Sequence, residues 1–224
     1  MTNQTHRRLI ALPRYTRGEE MANAVSHAVG IAFGAFALFL CIAAALTSGV
    51  RFGVFSAVIY GASLIAVYAT SCIYHALPRN RGKRIFRVID HCMIYSLIAG
   101  TYTPIAAVAI MPVDRGVGIG LLVFIWAAAA LAVLLTAIDM KRFSALSMLL
   151  YIAMGWCILP FLSVAVKALT LEGFLWVLYG GIAYTVGAVL YGVGKKKRYM
   201  HSVFHGFVLL GSALQFVGVL LFVL

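Results

Sequence analysis

Acidic side chains are scarce in this 224-residue sequence, which contains only six Asp and Glu residues. Charged residues of both signs make up 11% of the chain, whereas soluble domains carry about 25%. Hydrophobic residues make up 63%, and the mean hydropathy is +1.01. These values exclude an ordinary soluble domain and predict an all-α integral membrane protein.

Cysteine is also scarce, with four residues and no C-x-x-C pair. Cys41, Cys72, Cys92 and Cys157 all lie in apolar runs, as is typical of small buried side chains. Cys72 and Cys92 are close in sequence to the polar residues considered below, but they point about 100° away around a helix. We therefore do not predict them to be ligands.

Seven hydrophobic runs are long enough to cross a bilayer, for which ~20 residues suffice. The predicted architecture is a seven-helix transmembrane bundle of residues 23–224, preceded by a cytoplasmic tail of residues 1–22. The first run is too long for a signal-peptide core, so we expect it to be retained. The weakest boundary lies between Lys167 and Glu172. The spans are expected at residues 24–46, 53–77, 88–111, 117–138, 144–166, 172–194 and 201–223.

The basic residues alternate between the two ends of these spans. The tail and the loops after spans 2, 4 and 6 hold most of the 18 Lys and Arg residues, and the other loops hold only Arg51, Arg115 and Lys167. Cytoplasmic loops are enriched in Lys and Arg, so the N-terminus is expected in the cytoplasm and the C-terminus outside. The same placement explains the net charge of +12 without nucleic acid as a partner.

With this orientation, five of the six histidines fall at cytoplasmic span ends. His75 lies at the end of span 2, and His201 and His205 lie at the start of span 7. An imidazole in a membrane span is costly unless something binds it. His201 and His205 are four residues apart and share a helix face, so they can bind one metal ion, with His75 as a third nitrogen ligand. Three nitrogen ligands and one open position are typical of catalytic zinc.

Two further polar residues are expected near this layer. Asp90 is predicted to be catalytic: it binds the metal, positions the attacking water or acts as base. Ser71, one helical turn before His75, is predicted to hydrogen-bond the water or a substrate oxygen. Simpler interpretations stay open, because histidines near headgroups often only form hydrogen bonds and a carboxylate in a first helical turn satisfies free amides. His91 is expected to be a packing residue and His6 to be solvated.

The sequence also resembles the bacterial hemolysin III family, among the progestin and adipoQ receptors. The matching stretches run nearly end to end. They are Glu19 to Gly30; Ser71-x-x-x-His75-Ala76-Leu77-Pro78; Asp90-His91-x-x-Ile94-Tyr95-x-x-Ile98-Ala99-Gly100-Thr101-Tyr102-Thr103-Pro104; Tyr151-x-x-Met154-Gly155-Trp156; Gly180-Gly181-x-x-Tyr184-x-x-Gly187; and His201-x-x-x-His205-x-x-Val208-Leu209-x-Gly211-Ser212.

This resemblance implies seven transmembrane helices with a cytoplasmic N-terminus. It also implies zinc held by His75, His201 and His205, with Ser71 and Asp90 nearby. Supporting residues are expected at the start of span 1: Glu20, Asn23 and His27. Eukaryotic members of the family are similar to membrane hydrolases that include alkaline ceramidases, so the resemblance implies a zinc-dependent hydrolase acting on a lipid amide or ester.

Other functions remain open: a receptor-like or membrane-homeostasis regulator with structural zinc, or a cytolytic pore-forming protein. The expected partner is a membrane lipid, and no pattern identifies a protein partner or an oligomeric state. The chain departs from the family at Gln215-Phe216, where members often carry a histidine followed by an aromatic. Gln215 lies more than two turns from His205, so no effect on the metal site is expected.

The predicted orientation can be tested with a reporter fused after Leu224. We expect alkaline phosphatase, which folds only outside the cytoplasm, to be active there, and green fluorescent protein to be dark after secretion. The reverse pattern would contradict the topology.

Overall fold

The computed structural model describes residues 12–194 and 197–224. Within these ranges the regular structure is helical, with no strand. Arg7, Arg8, Lys195 and Lys196, which contribute to the predicted orientation, and His6 lie outside the described residues. The main helices are α1 (Arg17–Ser48), α2 (Gly53–Ala76), α3 (Arg81–Pro104), α4 (Arg115–Asp139), α5 (Ser144–Gly155), α6 (Leu162–Gly194) and α7 (Met200–Phe222).

Helix α1 begins earlier than the sequence predicts. Thr16 and Glu19 form a capping box, in which each side chain binds the backbone N–H of the other residue. This cap sets the helix start at Arg17, so the predicted domain start at residue 23 falls inside α1. The helix ends at Gly49, whose φ of 64° is a left-handed conformation that glycine adopts without strain.

Helix α3 also begins before its predicted span. Asn80 caps it by accepting a hydrogen bond from the Lys83 N–H at 3.0 Å. Asp90 is therefore the tenth residue of the helix rather than a first-turn residue, and a capping role for its carboxylate is wrong. After Pro104 the chain continues through the wider π-helical turns Ile105–Ile110, consistent with the helix hydrogen bond that proline cannot donate.

Among the described residues, six helical segments are long and apolar enough to span a membrane. One of them, Ser144–Gly194, comprises α5, α6 and the short 3₁₀ turn between them, 51 residues in all. At 1.5 Å per residue a straight helix of this length would reach about 76 Å, whereas a hydrocarbon core is about 30 Å thick. The backbone leaves helical geometry at Thr170, within the expected boundary. The seven-span count and the orientation of the termini remain predictions.

Helices α1, α2, α3 and α7 bring their predicted cytoplasmic ends together. Helix α2 packs against α1 and α3, and α7 packs against α1 and α6. At Gly30 the Tyr68 ring of α2 lies so close to the α1 backbone that an added Cβ would overlap it. We call the end of the bundle formed by the start of α1, the end of α2, and the starts of α3 and α7 the basic end.

The break in α6 generates a stability prediction. Thr170 has φ 63° and ψ 166°, a region that is nearly restricted to glycine and costs roughly 1–3 kcal/mol for other residues. Its Oγ accepts only a long hydrogen bond, 3.4 Å, from the Gly173 N–H. Thr170→Gly is expected to raise the unfolding temperature in detergent, because the strain exceeds the extra chain entropy of glycine, roughly 0.5–1 kcal/mol.

Thr170→Ala is the matched control, since alanine removes the hydroxyl but keeps the strained backbone. It is expected to lower the unfolding temperature. Glycine and alanine variants of equal stability would show that Thr170 stores no strain.

Candidate metal site

Three histidine rings meet at the basic end. His75 is the penultimate residue of α2, and His201 and His205 lie in the first two turns of α7. The Nε2 atom of His201 lies 3.2 Å from His75 Nε2 and 3.1 Å from His205 Nε2. Ligand atoms of the three residues all lie within 4.8 Å of one another, so the group could hold a metal ion. The three histidines that the sequence predicts to lie together do lie together in the structure.

The outer nitrogen of two of these rings is held by a hydrogen bond. His75 Nδ1 lies 2.8 Å from Glu20 Oε2, and a carboxylate can only accept. Ser26 Oγ donates its single proton to the Asn23 carbonyl at 2.9 Å. The 3.1 Å contact between Ser26 Oγ and His205 Nδ1 is therefore donated by the imidazole. Both rings carry their proton on Nδ1, which leaves each Nε2 as a bare lone pair facing inward.

These proton positions make a bound cation favourable. A neutral His201 has at most one proton on Nε2, which can point at only one of its two neighbours. At least one nitrogen–nitrogen contact of 3.1–3.2 Å then sets two lone pairs against each other. His75 is 2% and His205 1% exposed, so water does not relieve this repulsion. A shared cation accepts all three lone pairs.

A buried ion pair supports the His75 side of the site. Glu20 Oε1 lies 2.9 Å from Lys83 Nζ, and the Lys83 side chain is only 2% exposed. Lys83 also donates to the carbonyls of His75 and Leu77, the last groups of α2. The charge pattern of the sequence counts Lys83 only among the basic residues of the loop after span 2, whereas the structure buries it in the first turn of α3. No sequence signal pairs it with Glu20, because the partners lie 63 positions apart on different helices.

The supporting residues of α1 contact the histidines in different ways. Asn23 is fully buried, and its Oδ1 accepts from Ser202 Oγ at 2.6 Å, which ties α1 to α7. Its amide also lies 3.4 Å from His75 Nδ1. That nitrogen cannot accept while it donates to Glu20, and we assign the bond to Glu20 because the contact is shorter and charge-assisted.

His27 packs on the site through its ring. Its plane is stacked on His205 with centroids 3.6 Å apart and an angle of 18° between planes. Its edge meets Tyr68 at a centroid distance of 5.2 Å. His27 is 4% exposed, and neither ring nitrogen hydrogen-bonds a described residue. Within the structure its contribution is therefore to fix the plane of the His205 ring.

Ser71 and Asp90 lie outside the histidine group. Both are buried, and the Asp90 carboxyl faces the Ser71 hydroxyl and Arg87. Ser71 Oγ makes no well-aligned hydrogen bond with a described residue, so the hydroxyl is available to another partner. His91 Nδ1 binds the Arg87 carbonyl of its own helix at 2.9 Å.

Aromatic rings surround the site, and no pattern in the sequence predicts their place there. Tyr15, just before α1, stacks on His201, and Tyr74 and Tyr191 lie beside His75 and His201 with centroid distances of 4.5 and 5.2 Å. Burial raises the pKa of the Tyr15 phenol, so it stays protonated at neutral pH. The one sequence feature that points to Tyr15 is its position beside the α1 cap residue, Thr16, in the basic tail.

Known proteins place this arrangement in a family. A family model described as "Haemolysin-III related" matches residues 15–216. The "Hemolysin-3 homolog" of Bacillus subtilis (strain 168) is 36% identical over 208 residues, which cover 93% of this chain and 96% of that protein. The chain belongs to the haemolysin III-related family. The "Hemolysin-3" of Bacillus cereus is 37% identical over 207 residues, covering 92% of each chain.

The family match extends over the whole site. It begins at Tyr15 and includes the three histidines as well as Glu20, Asn23, His27, Ser71, Lys83 and Asp90. With six apolar helices, this haemolysin III-related protein is a multi-pass bacterial membrane protein. Gln215, where the chain departs from the family pattern, donates to the Val177 carbonyl at 3.5 Å and packs α7 against α6.

The outer hydrogen bonds predict graded losses of metal affinity. Glu20→Gln removes the charged acceptor of His75 Nδ1, and Ser26→Ala removes the acceptor of His205 Nδ1. Loss of such partners typically weakens binding about 10–100-fold. Competition with a chelating dye measures the affinity, and Glu172→Gln, an exposed carboxylate, is the matched control. Wild-type affinity in both site variants would contradict the proton assignment.

Proposed function

We propose that this protein is a zinc-dependent hydrolase that cleaves a lipid amide or ester at the basic end of the bundle. The observation that carries the proposal is the convergence of three Nε2 atoms, two of which belong to rings oriented from behind by Glu20 and Ser26. Two nitrogens bound at 2.0–2.1 Å to a tetrahedral zinc lie about 3.3 Å apart. The observed separations of 3.2 and 3.1 Å are close to this value.

The donor set favours zinc among the common ions. Imidazole suits zinc and its transition-metal neighbours, whereas magnesium and calcium prefer oxygen. Three protein nitrogens leave a fourth position open, as in catalytic rather than structural sites. A zinc ion bound there would polarise a carbonyl and lower the pKa of water to about 7. His75, His201 and His205 would hold it.

The remaining residues have roles set by their position. Asp90 is a buried carboxylate, available as a base that takes a proton from the attacking water. It then returns that proton to the leaving nitrogen or oxygen as the acyl bond breaks, so water plus lipid gives an acid and an amine or alcohol. Ser71 faces the Asp90 carboxyl, and its hydroxyl makes no well-aligned hydrogen bond with a described residue. It is placed to orient the water or the substrate oxygen.

The position of the site supports a lipid substrate. The histidines occupy the ends of membrane-spanning helices, the depth at which ester and amide groups of bilayer lipids are found. Basic side chains of the loops at the basic end favour anionic lipid headgroups nearby. Asp90 and Ser71 are buried, which keeps bulk water from competing with the substrate.

The hydrolase proposal predicts two separable losses. In the purified protein we expect about one zinc per chain by mass spectrometry, lost in His75→Ala and His205→Ala. Asp90→Asn should retain zinc but hydrolyse a fluorescent ceramide or phospholipid at least about 100-fold more slowly, the usual scale for loss of a general base.

Asp139→Asn is the control for Asp90, because Asp139 is an exposed carboxylate at the end of α4. Its activity should match wild type. Unchanged hydrolysis in zinc-loaded Asp90→Asn would reject the role of Asp90, and a folded wild type that takes up no zinc would reject the hydrolase.

A structural zinc is the second candidate. The ion pair between Glu20 and Lys83 and the hydrogen bond between Asn23 and Ser202 already hold three helices, α1, α3 and α7, together around the histidines, as expected of a structural site. This candidate predicts a lower unfolding temperature after zinc removal and no lipid turnover.

The name hemolysin of the relatives suggests another function, cytolysis. A cytolytic protein would cause dye leakage from liposomes that contain it.

A further inference from the structure

One of the three histidines lacks the support that the other two have. His75 and His205 are oriented by Glu20 and Ser26, whereas His201 Nδ1 is buried without a hydrogen bond to any described residue. Histidine ligands almost always donate their outer N–H to a carboxylate, carbonyl or water, which fixes the ring. The orientation of His201 must therefore come from packing.

Aromatic rings supply this packing. Tyr15 is stacked on the His201 ring with centroids 5.3 Å apart and planes 17° apart. Tyr191 and Phe204 pack at 5.2 and 5.8 Å in tilted arrangements. Of these three, only Tyr15 comes from outside the helices, and its ring also lies 5.8 Å from His75. It therefore bridges ligands from α2 and α7.

The segment that carries Tyr15 is fixed at both ends. Arg79 donates from both terminal nitrogens of its guanidinium to the carbonyls of Leu12 and Pro13. At the other end Thr16 is locked by the α1 capping box. We call residues Leu12–Thr16 the strap.

The strap is also tied to α7 through Glu19. The Glu19 carboxylate accepts from Thr16 on the strap side and from the backbone N–H of Tyr199 at 2.9 Å. Tyr199 is the residue before α7, two positions from His201. The start of α7 and the strap therefore share one carboxylate, which holds the Tyr15 ring in register with His201.

We propose that the strap is a further element of the metal site, in which Tyr15 is a positioning residue for His201 and covers the histidines at the basic end. This inference rests on the metal part of the proposed function but not on the hydrolysis. The ring of Tyr15, rather than its hydroxyl, positions His201, because stacking is the observed contact. Arg79 is the latch that keeps the strap down.

The consequence is a kinetic barrier to metal loss. With the strap in place, release of the ion requires the Tyr15 ring to leave His201 and the two Arg79 hydrogen bonds to break. Removing the ring frees His201 to rotate and opens a path to water. Removing the latch lets the strap lift while the ring itself is retained, so the effect should be smaller.

The test loads purified protein in detergent with Co²⁺, whose visible spectrum reports ligand geometry, and follows its loss to excess EDTA. Tyr15→Ala should lose Co²⁺ about tenfold faster or more, on the scale of losing a ligand's support, with a changed absorption band. Tyr15→Phe should behave as wild type. Arg79→Ala should lose Co²⁺ faster than wild type but keep its spectrum.

The controls match the chemistry at exposed positions. Tyr179→Ala removes a tyrosine that is 51% exposed on the bundle surface, and Arg81→Ala removes an exposed arginine two residues from the latch. Both should release Co²⁺ at the wild-type rate. Unfolding temperatures of the variants are measured alongside, and wild-type values in Tyr15→Ala would show that the effect belongs to the site.

Three results would overturn the inference: wild-type spectrum and release rate in Tyr15→Ala, a Tyr15→Phe variant as defective as Tyr15→Ala, or a wild type that binds no Co²⁺ or Zn²⁺. Its failure is distinguishable from that of the hydrolase. If the wild type hydrolyses lipid and Tyr15→Ala binds and releases metal as the wild type does, only the role of the strap is rejected. If Tyr15→Ala releases metal faster but the wild type hydrolyses no lipid, only the hydrolase is rejected.

Discussion

The arrangement at the basic end depends on three imidazole lone pairs that point at one another. Two of them are fixed by outward Nδ1 hydrogen bonds to Glu20 and Ser26, and all lie within 4.8 Å. Without a cation this geometry is repulsive, and in a buried place the repulsion is not screened. With one, the repulsion becomes coordination. The contacts around the histidines hold the three rings in this geometry, which is unfavourable until a cation binds.

The fold supplies those devices from four chain segments. The end of α2 presents His75, the start of α7 presents His201 and His205, and α1 crosses behind both to offer the acceptors. Helix α3 contributes Lys83, which neutralises Glu20 and satisfies the last carbonyls of α2. A buried charge without its partner typically costs about 3–5 kcal/mol. Lys83, whose side chain is 2% exposed, therefore supports the partly buried Glu20 carboxylate that orients His75.

Much of this could be predicted from the sequence, for physical reasons. Helical periodicity puts His201 and His205 on one face, and alternating basic loops bring His75 to the same end. What could not be predicted depends on distant partners. Lys83 reads as a loop cation until Glu20 is placed next to it, and Tyr15 reads as tail until it stacks on His201. Hydropathy alone starts span 3 at residue 88 and puts Asp90 in its first turn, whereas the polar Asn80 cap starts α3 at Arg81.

The most direct test of the central claim is X-ray absorption at the zinc edge of the metal-loaded protein. We expect three imidazole nitrogens at 2.0–2.1 Å with the multiple-scattering pattern of histidine, and one further oxygen or nitrogen that completes the coordination shell. No sulfur contribution near 2.3 Å is expected, because the cysteines lie outside the site. A sulfur ligand, or fewer than three imidazoles in the wild-type protein, would contradict it.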